Sequence, residues 1–166
     1  MRRLFFMLAL PLVWAACSKS NKCPYTTPAT VASAAEAANL KTFLDTNSLA
    51  YTQHPSGIFY KTITQGSGGV GSPCSNVTVK YIGRLTNGIA FDSSFQRDPD
   101  GSVFTLGELI AGWQIGIPLI QKGGSIILYI PPSLGYGPQD LRDNNGNITV
   151  PANSILIFNI ELVNVQ

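Results

Sequence analysis

Charge is scarce in this sequence. Charged side chains make up 12% of its 166 residues, and the net charge at neutral pH is +2. No basic cluster occurs, and no stripe of aromatics interleaved with Lys or Arg, so nucleic-acid binding has no electrostatic footing. Histidine appears once, as His54, beside Pro55 in a stretch that reads as a linker, where it is expected to be solvated and non-catalytic. A Ser–His or Cys–His nucleophilic pair would have to borrow that residue from outside the domain. Cys17, Cys23 and Cys74 form no cluster with it of metal-ligand spacing, so no metal is expected. The acidic residues show no paired spacing in a cleft beyond Asp92. The run Gly66-Ser67-Gly68-Gly69-Val70-Gly71 is glycine-rich, but no helical pattern follows it, and a phosphate cradle needs that context. No cofactor is therefore expected. Long apolar runs are missing as well: Leu4–Ala16 falls short of the roughly 20 residues that span a bilayer as a helix.

What is present is apolar residues and turn formers. Hydrophobic residues are 45% of the chain, with 16 Gly and 11 Pro concentrated in the later part. The length suits one domain with extensions. The organising stretch is Val77-Thr78-Val79-Lys80-Tyr81-Ile82-Gly83, whose alternation is that of a strand with one buried face. Thr86-Asn87-Gly88 supplies a tight turn. The returning strand, Ile89 to Ser94, sets Phe91 beside Asp92, an apolar ring next to a carboxylate at the mouth of a pocket.

At the other end, Arg2-Arg3 precede the apolar run, which has the length of a secretory signal core. Trp14-Ala15-Ala16-Cys17 resembles a bacterial lipobox, in which the cysteine becomes an acylated first residue. Trp14 stands where Leu is usual, and ordinary signal cleavage near Ala16 is the alternative. The segments expected are a signal peptide over 1–16, a tether over 17–28, a helical arm and linker over 29–55, and a domain over 56–166. Lipid would then be the only membrane attachment. Ser18 rather than Asp after the cysteine points to the outer membrane, with the domain in the periplasm. Cys23 and Cys74 would share an oxidising compartment, where they form a candidate disulfide; two free thiols are the alternative.

Ala29 to Asp45 reads as a helix, with Val31, Ala35, Ala38, Phe43 and Leu44 on one stripe. Such a helix more often packs on a domain, or spaces it, than serves as a dimerisation arm. Ile58–Thr64, Ser125–Ile130 and Leu156–Val163 have strand patterns. Leu109, Ile110, Trp113 and Ile117 mark one helix that Pro118 ends. One helix against several antiparallel strands gives α+β, with the sheet buried on one face only.

Several of these pieces, in this order, resemble the FKBP-type peptidyl-prolyl isomerases. They are Val79-Lys80-Tyr81-Ile82-Gly83, Phe91-Asp92-Ser93-Ser94, Phe104-Thr105-Leu106-Gly107, Leu109-Ile110-Ala111-Gly112-Trp113, Leu134-Gly135-Tyr136-Gly137 and Val150-Pro151-Ala152-Asn153. The resemblance runs from about Ser56 to Gln166. It implies a five- to six-stranded antiparallel half-barrel wrapped around one short helix. Trp113 would floor a proline pocket walled by Tyr81, Phe91, Phe104, Leu109, Ile110, Val150 and Phe158. Tyr136 would be a hydrogen-bond donor at the rim, Asp92 would lie beside the substrate carbonyl, and Arg97 would partner that carboxylate. Three departures stand out. Ser102 replaces a frequent aromatic, so one wall is expected to be more open. Leu134 replaces a frequent Tyr, and the loop Gln139–Asn147 is longer than in compact members.

The activity implied is rotation of X–Pro bonds in exported polypeptides, with macrolides of the rapamycin type as ligands. The alternatives are an FKBP-like module that holds chains without turning them over, and a structural lipoprotein that keeps the fold alone.

Overall fold

The strand from Asn76 to Leu85 (β3) carries the architecture. Its even and odd positions separate as the alternation requires, with Val77, Val79 and Tyr81 buried and Thr78, Lys80 and Ile82 partly exposed. The computed structural model describes residues 22–95 and 97–166. The expected signal peptide and Cys17 lie outside the described residues.

Ahead of β3 come α1 (Ala34–Thr46), β1 (Thr52–Gln53) and β2 (Phe59–Thr64). After it come β4 (Ala90–Ser93), β5 (Ser102–Thr105), α2 (Ala111–Gly116), β6 (Ser125–Ile130), β7 (Leu141–Arg142), β8 (Ile148–Val150) and β9 (Leu156–Val165). The main sheet is antiparallel and open, ordered β1-β2-β6-β9-β3-β4, with β5 also on β3, making seven strands. The expected five or six strands grow to seven because two-residue β1 pairs with β2 and because β4 and β5 both pair with β3. β7 and β8 form a separate hairpin. On the concave side, α2 packs with Val77, Val79, Ile126, Leu128, Ile130, Phe158 and Ile160 in the main core.

The helix in the second half is shorter than its apolar spacing suggests. Leu106–Glu108 form a 3₁₀ turn, Leu109 and Ile110 are extended, and α2 begins only at Ala111. Ile117–Leu119 continue as a second 3₁₀ turn that includes Pro118. Leu109 and Ile110 share the spacing of a helix face without belonging to the helix. They are the wall in front of it.

The N-terminal helix starts five residues later than its composition suggested, at Ala34 rather than Ala29. Ser33 and Glu36 form a reciprocal capping box that fixes the start. Its packed face is Ala37, Leu40 and Leu44 with Phe43, while Val31, Ala35 and Ala38 are exposed. This face covers Phe59, Tyr129, Ile127 and Ile157 on the outer side of the sheet. The expectation of a sheet buried on one face only is thereby corrected: a second core exists outside. His54 is also not fully solvated, because its Nδ1 accepts from the Ser56 amide at 3.2 Å and lies 2.9 Å from Ser56 Oγ. Cys23 and Cys74 are joined by a disulfide.

Candidate active site

Tyr81 projects into the concave side of β3, and the adjacent strand brings Asp92 to it. The β3–β4 register pairs Ile82 with Ser93 and Gly83 with Asp92, then jumps to pair Arg84 with Ala90, leaving Phe91 as a bulge. A bulge breaks the strict alternation of faces. Phe91 and Asp92, adjacent in sequence, can therefore both serve the concave side.

A cleft of about 180 Å³ opens there, lined by Tyr81, Asp92, Phe104, Leu109, Ile110, Trp113, Tyr136 and Phe158. Trp113 is 4% exposed and meets Tyr81, Phe158 and Phe104 edge to face, at centroid distances of 5.0, 5.1 and 6.3 Å. Such geometry matches ring edges to ring faces and fixes each ring's tilt. The Trp113 indole N–H has no oxygen or nitrogen acceptor among the described residues. Apart from that N–H, the packed rings present an apolar floor.

One wall is polar. The Tyr81 hydroxyl donates to Asp92 Oδ2 at 2.6 Å and accepts from Arg97 Nη2 at 2.9 Å. Arg97 Nη1 donates to Asp92 Oδ1 at 2.7 Å, and the Ser93 amide donates to the same oxygen at 2.8 Å. Burial first, then the Asp92 hydrogen bond and charge, push the Tyr81 phenol well above its ordinary range, against the pull of Arg97. Tyr81 therefore stays a neutral donor. Burial, with a smaller contribution from Asp92, also raises Tyr136.

Some expected wall residues stand elsewhere. Phe91 sits behind the lining, edge to face on Phe158 at 5.5 Å and on Tyr136 at 6.3 Å. Gly83 makes room for it. A Cβ at that position would lie 2.7 Å from both Phe91 Cζ and Phe158 Cε1. Val150 is buried in the main core, held by its pairing with Leu141, and does not line the cleft. Arg97 braces Asp92 and Tyr81 from outside the lining. Ser102 does not leave an open wall either: it is buried and donates to Asp98, while Phe104, two residues on, lines the cleft. The longer loop is ordered as the β7–β8 hairpin, with Asp143 accepting from the Asn145 and Asn147 amides at 2.9 Å each.

The family model for FKBP-type peptidyl-prolyl cis-trans isomerases matches residues 72–163. The chain belongs to this family. It is 42% identical over 112 residues to the FKBP-type peptidyl-prolyl cis-trans isomerase FkpA of Buchnera aphidicola, covering 67% of this chain and 42% of that protein. The crystal structure of FkpA from Escherichia coli superposes with a TM-score of 0.67 at 32% identity, covering 80% of this chain and 60% of the other. A peptidyl-prolyl cis-trans isomerase from Pseudomonas syringae gives a TM-score of 0.66 at 28% identity, over 80% of this chain and 94% of the other. The chain spans about two-fifths of the length of the curated relatives it matches.

Two contributors to this FKBP-type cleft were not singled out by sequence. Ser94 is fully buried, and its Oγ accepts from the Tyr81 amide at 2.8 Å while its own amide donates to the Tyr81 carbonyl at 3.1 Å. Gln114 braces the Leu109 wall through its side-chain amide. A polar residue ending a strand (Ser94) and a lone amide on an apolar helix (Gln114) were the available signals.

Proposed function

We propose that this chain is a peptidyl-prolyl cis-trans isomerase acting on X–Pro bonds of exported polypeptides, with the cleft over Trp113 as its active site. The observation that carries the reading is an apolar aromatic cleft with one braced carboxylate on its wall, in a chain of the FKBP family. Rotation about an X–Pro bond faces a barrier of about 18–20 kcal/mol set by amide resonance. Uncatalysed, it takes tens to hundreds of seconds. As the bond twists, the carbonyl oxygen loses negative charge and the group becomes less polar. A water-poor cleft therefore favours the twisted form over the planar one. Lowering the barrier by about 7 kcal/mol would speed rotation by on the order of 10⁵.

In this reading Trp113 supports the proline ring, and Tyr81, Phe104, Leu109, Ile110 and Phe158 exclude water. Asp92, held by Tyr81 and Arg97, orients one twisted conformer of the carbonyl. Phe91 backs Phe158, Val150 supports the wall from the core, and Tyr136 donates at the rim. The test is a coupled isomerase assay on X–Pro tetrapeptides, with and without rapamycin. Turnover blocked by the macrolide is expected. Peptide binding without turnover would replace this reading with a holding module.

Export and lipid anchoring at Cys17 complete the proposal, with the domain in the periplasm at the outer membrane. The apolar run before Cys17 supports it, and so does a disulfide that suits an oxidising compartment. A palmitate analogue should label the wild type and miss Cys17→Ser. Equal labelling of both would overturn the anchor.

A further inference from the structure

The chain ahead of α1 reaches the turn that leads into one wall of the cleft. Cys23 is bonded to Cys74 across 51 residues of sequence. Two residues on, the Tyr25 hydroxyl donates to Glu108 Oε1 at 2.5 Å. The Tyr25 ring lies so close over Gly107 that a Cβ there would collide with it and come within 2.7 Å of the Pro73 carbonyl. The Gly107 amide donates to that same carbonyl at 2.7 Å, next to Cys74. Gly107 and Glu108 belong to the 3₁₀ turn that leads directly into Leu109 and Ile110, two lining residues.

The same turn is gripped from inside. Gln114 donates its side-chain amide to the Gly107 carbonyl at 3.2 Å and to the Leu109 carbonyl at 2.6 Å. The Leu109 amide closes on the Leu106 carbonyl at 3.2 Å. Leu109 and Ile110 have extended backbones, outside every strand and ahead of α2. Their position therefore depends on the turn before them, held between Gln114 and the Tyr25 strap. Gln114 falls within the family-matched residues; Cys23 and Tyr25 fall outside them.

We propose that Tyr25, fixed by the Cys23–Cys74 disulfide, is a positioning residue for the Leu109–Ile110 wall and so sets how tightly a proline-containing peptide is held. The inference rests on the isomerase reading. Tyr81, Asp92 and Trp113 sit on other elements, so loosening this wall should chiefly weaken binding, with a smaller loss of kcat from the water that Leu109 and Ile110 then admit. A loss felt equally in ground and transition states appears in KM and leaves kcat.

The experiment uses the full chain with Tyr25→Ala, Tyr25→Phe and the Cys23→Ser/Cys74→Ser pair, each checked for folding by circular dichroism. Tetrapeptide turnover is measured alongside amide hydrogen exchange at Leu109, referenced to the β6 amides. Tyr25→Ala should raise KM about three- to tenfold with kcat within about twofold, and speed Leu109 exchange about tenfold relative to β6. The cysteine pair should do the same. Tyr25→Phe keeps the ring over Gly107 and should recover most of the KM. A lowered melting temperature with unchanged KM and unchanged relative exchange at Leu109 would make the strap a stabiliser only and overturn the proposal. Absence of turnover in the wild type would overturn the isomerase reading, while the exchange measurement still decides whether Tyr25 holds the wall.

Discussion

The Tyr81 hydroxyl donates to Asp92 Oδ2 at 2.6 Å, and the same phenolic oxygen accepts from Arg97 at 2.9 Å. With Arg97 Nη1 on the other carboxylate oxygen, the three side chains close a ring. Together with the Ser93 amide on Oδ1, this ring sets the orientation of the Asp92 carboxylate on the cleft wall.

Asp92→Ala should therefore cost activity rather than stability. The side chains of Arg97 and Asp92 are 54% and 33% exposed, and an ion pair so wet is worth no more than about 1 kcal/mol. kcat/KM should drop about tenfold or more, in protein whose circular dichroism and melting temperature are close to wild type. Tyr81→Phe keeps the ring against Trp113 but frees Asp92, and should produce a smaller loss of the same kind. Wild-type turnover in folded Asp92→Ala would remove the carboxylate from the mechanism.

Trp113 and Phe91 should separate floor from buttress. Trp113 is almost fully buried under three rings, so Trp113→Ala should destabilise by about 3–5 kcal/mol and abolish turnover. Phe91 is half-buried and backs Phe158; its loss to Ala should cost about 1–2 kcal/mol. Activity should still fall, because Phe158 loses the ring that fixes its tilt. Chemical denaturation and tetrapeptide turnover, run on both variants, check this. Phe91→Ala with undiminished kcat/KM would leave it as packing alone.

The strand alternation of Val77, Val79 and Tyr81 was legible because burial on one face imposes a period of two on the sequence. Asp92 was legible as a cleft residue, but the bulge that accompanies Phe91, which sits behind the lining, was not, since one extra residue in a pairing leaves no mark on composition. Leu109 and Ile110 read as helix because a wall that precedes a helix can share its spacing. The outer core under α1 was hidden for another reason. Ile127 and Ile157 fall among the outward positions of their strands, and an apolar residue there is ambiguous until its cover is known. The Tyr25 contact with Glu108 joins residues 83 apart, which no local pattern encodes.

Glu36 gives a pH-dependent prediction. Its carboxylate accepts from the Ser33 amide at 3.0 Å and hydroxyl at 2.9 Å, and from the Ser133 amide at 2.9 Å and hydroxyl at 3.0 Å. Partial desolvation pulls its pKa up, but the hydrogen bonds from Ser133 and Ser33 together outweigh it and hold the carboxyl below its usual range. A lowered folded pKa contributes stability above the unfolded value, and that contribution is lost as pH falls through the folded one. Glu36→Gln should thus be less stable than wild type at neutral pH by about 1 kcal/mol. The gap should close as the pH drops below about 4. Melting curves across pH test this, and a gap independent of pH would assign the loss to geometry instead of charge.

The β7–β8 hairpin should tune which peptide is accepted. It follows Tyr136 at the cleft rim, and its turn is fixed by Asp143, whose pKa the Asn147 side-chain and backbone hydrogen bonds hold down against slight desolvation. Loops set by a scaffold often carry specificity. Replacing residues 142–147 with a two-residue turn should reorder the preference for X in X–Pro tetrapeptides more than it shifts the melting temperature. An unchanged order would make the hairpin a tolerated surface insertion.

Gly83→Ala tests whether the cleft depends on the packing behind it. Gly83 faces Asp92 on β4 and Phe158 on β9. The added methyl would start 2.7 Å from Phe91 Cζ and from Phe158 Cε1, closer than carbon atoms tolerate, so both rings must move. The neighbouring strands prevent the backbone from yielding far, and overpacking of this kind costs about 1–3 kcal/mol. Phe158 lines the cleft and Phe91 does not, so the displacement of Phe158 is the one that reaches the substrate. Turnover should fall well below that of wild type at a temperature where the variant is fully folded. Combining Gly83→Ala with Phe91→Leu removes the ring on one side of the clash. If the cleft is spoiled by crowding, the double variant should regain stability and part of the activity relative to Gly83→Ala alone. If the double variant is worse on both counts, the effects simply add, and Gly83 does not act through the rings it faces.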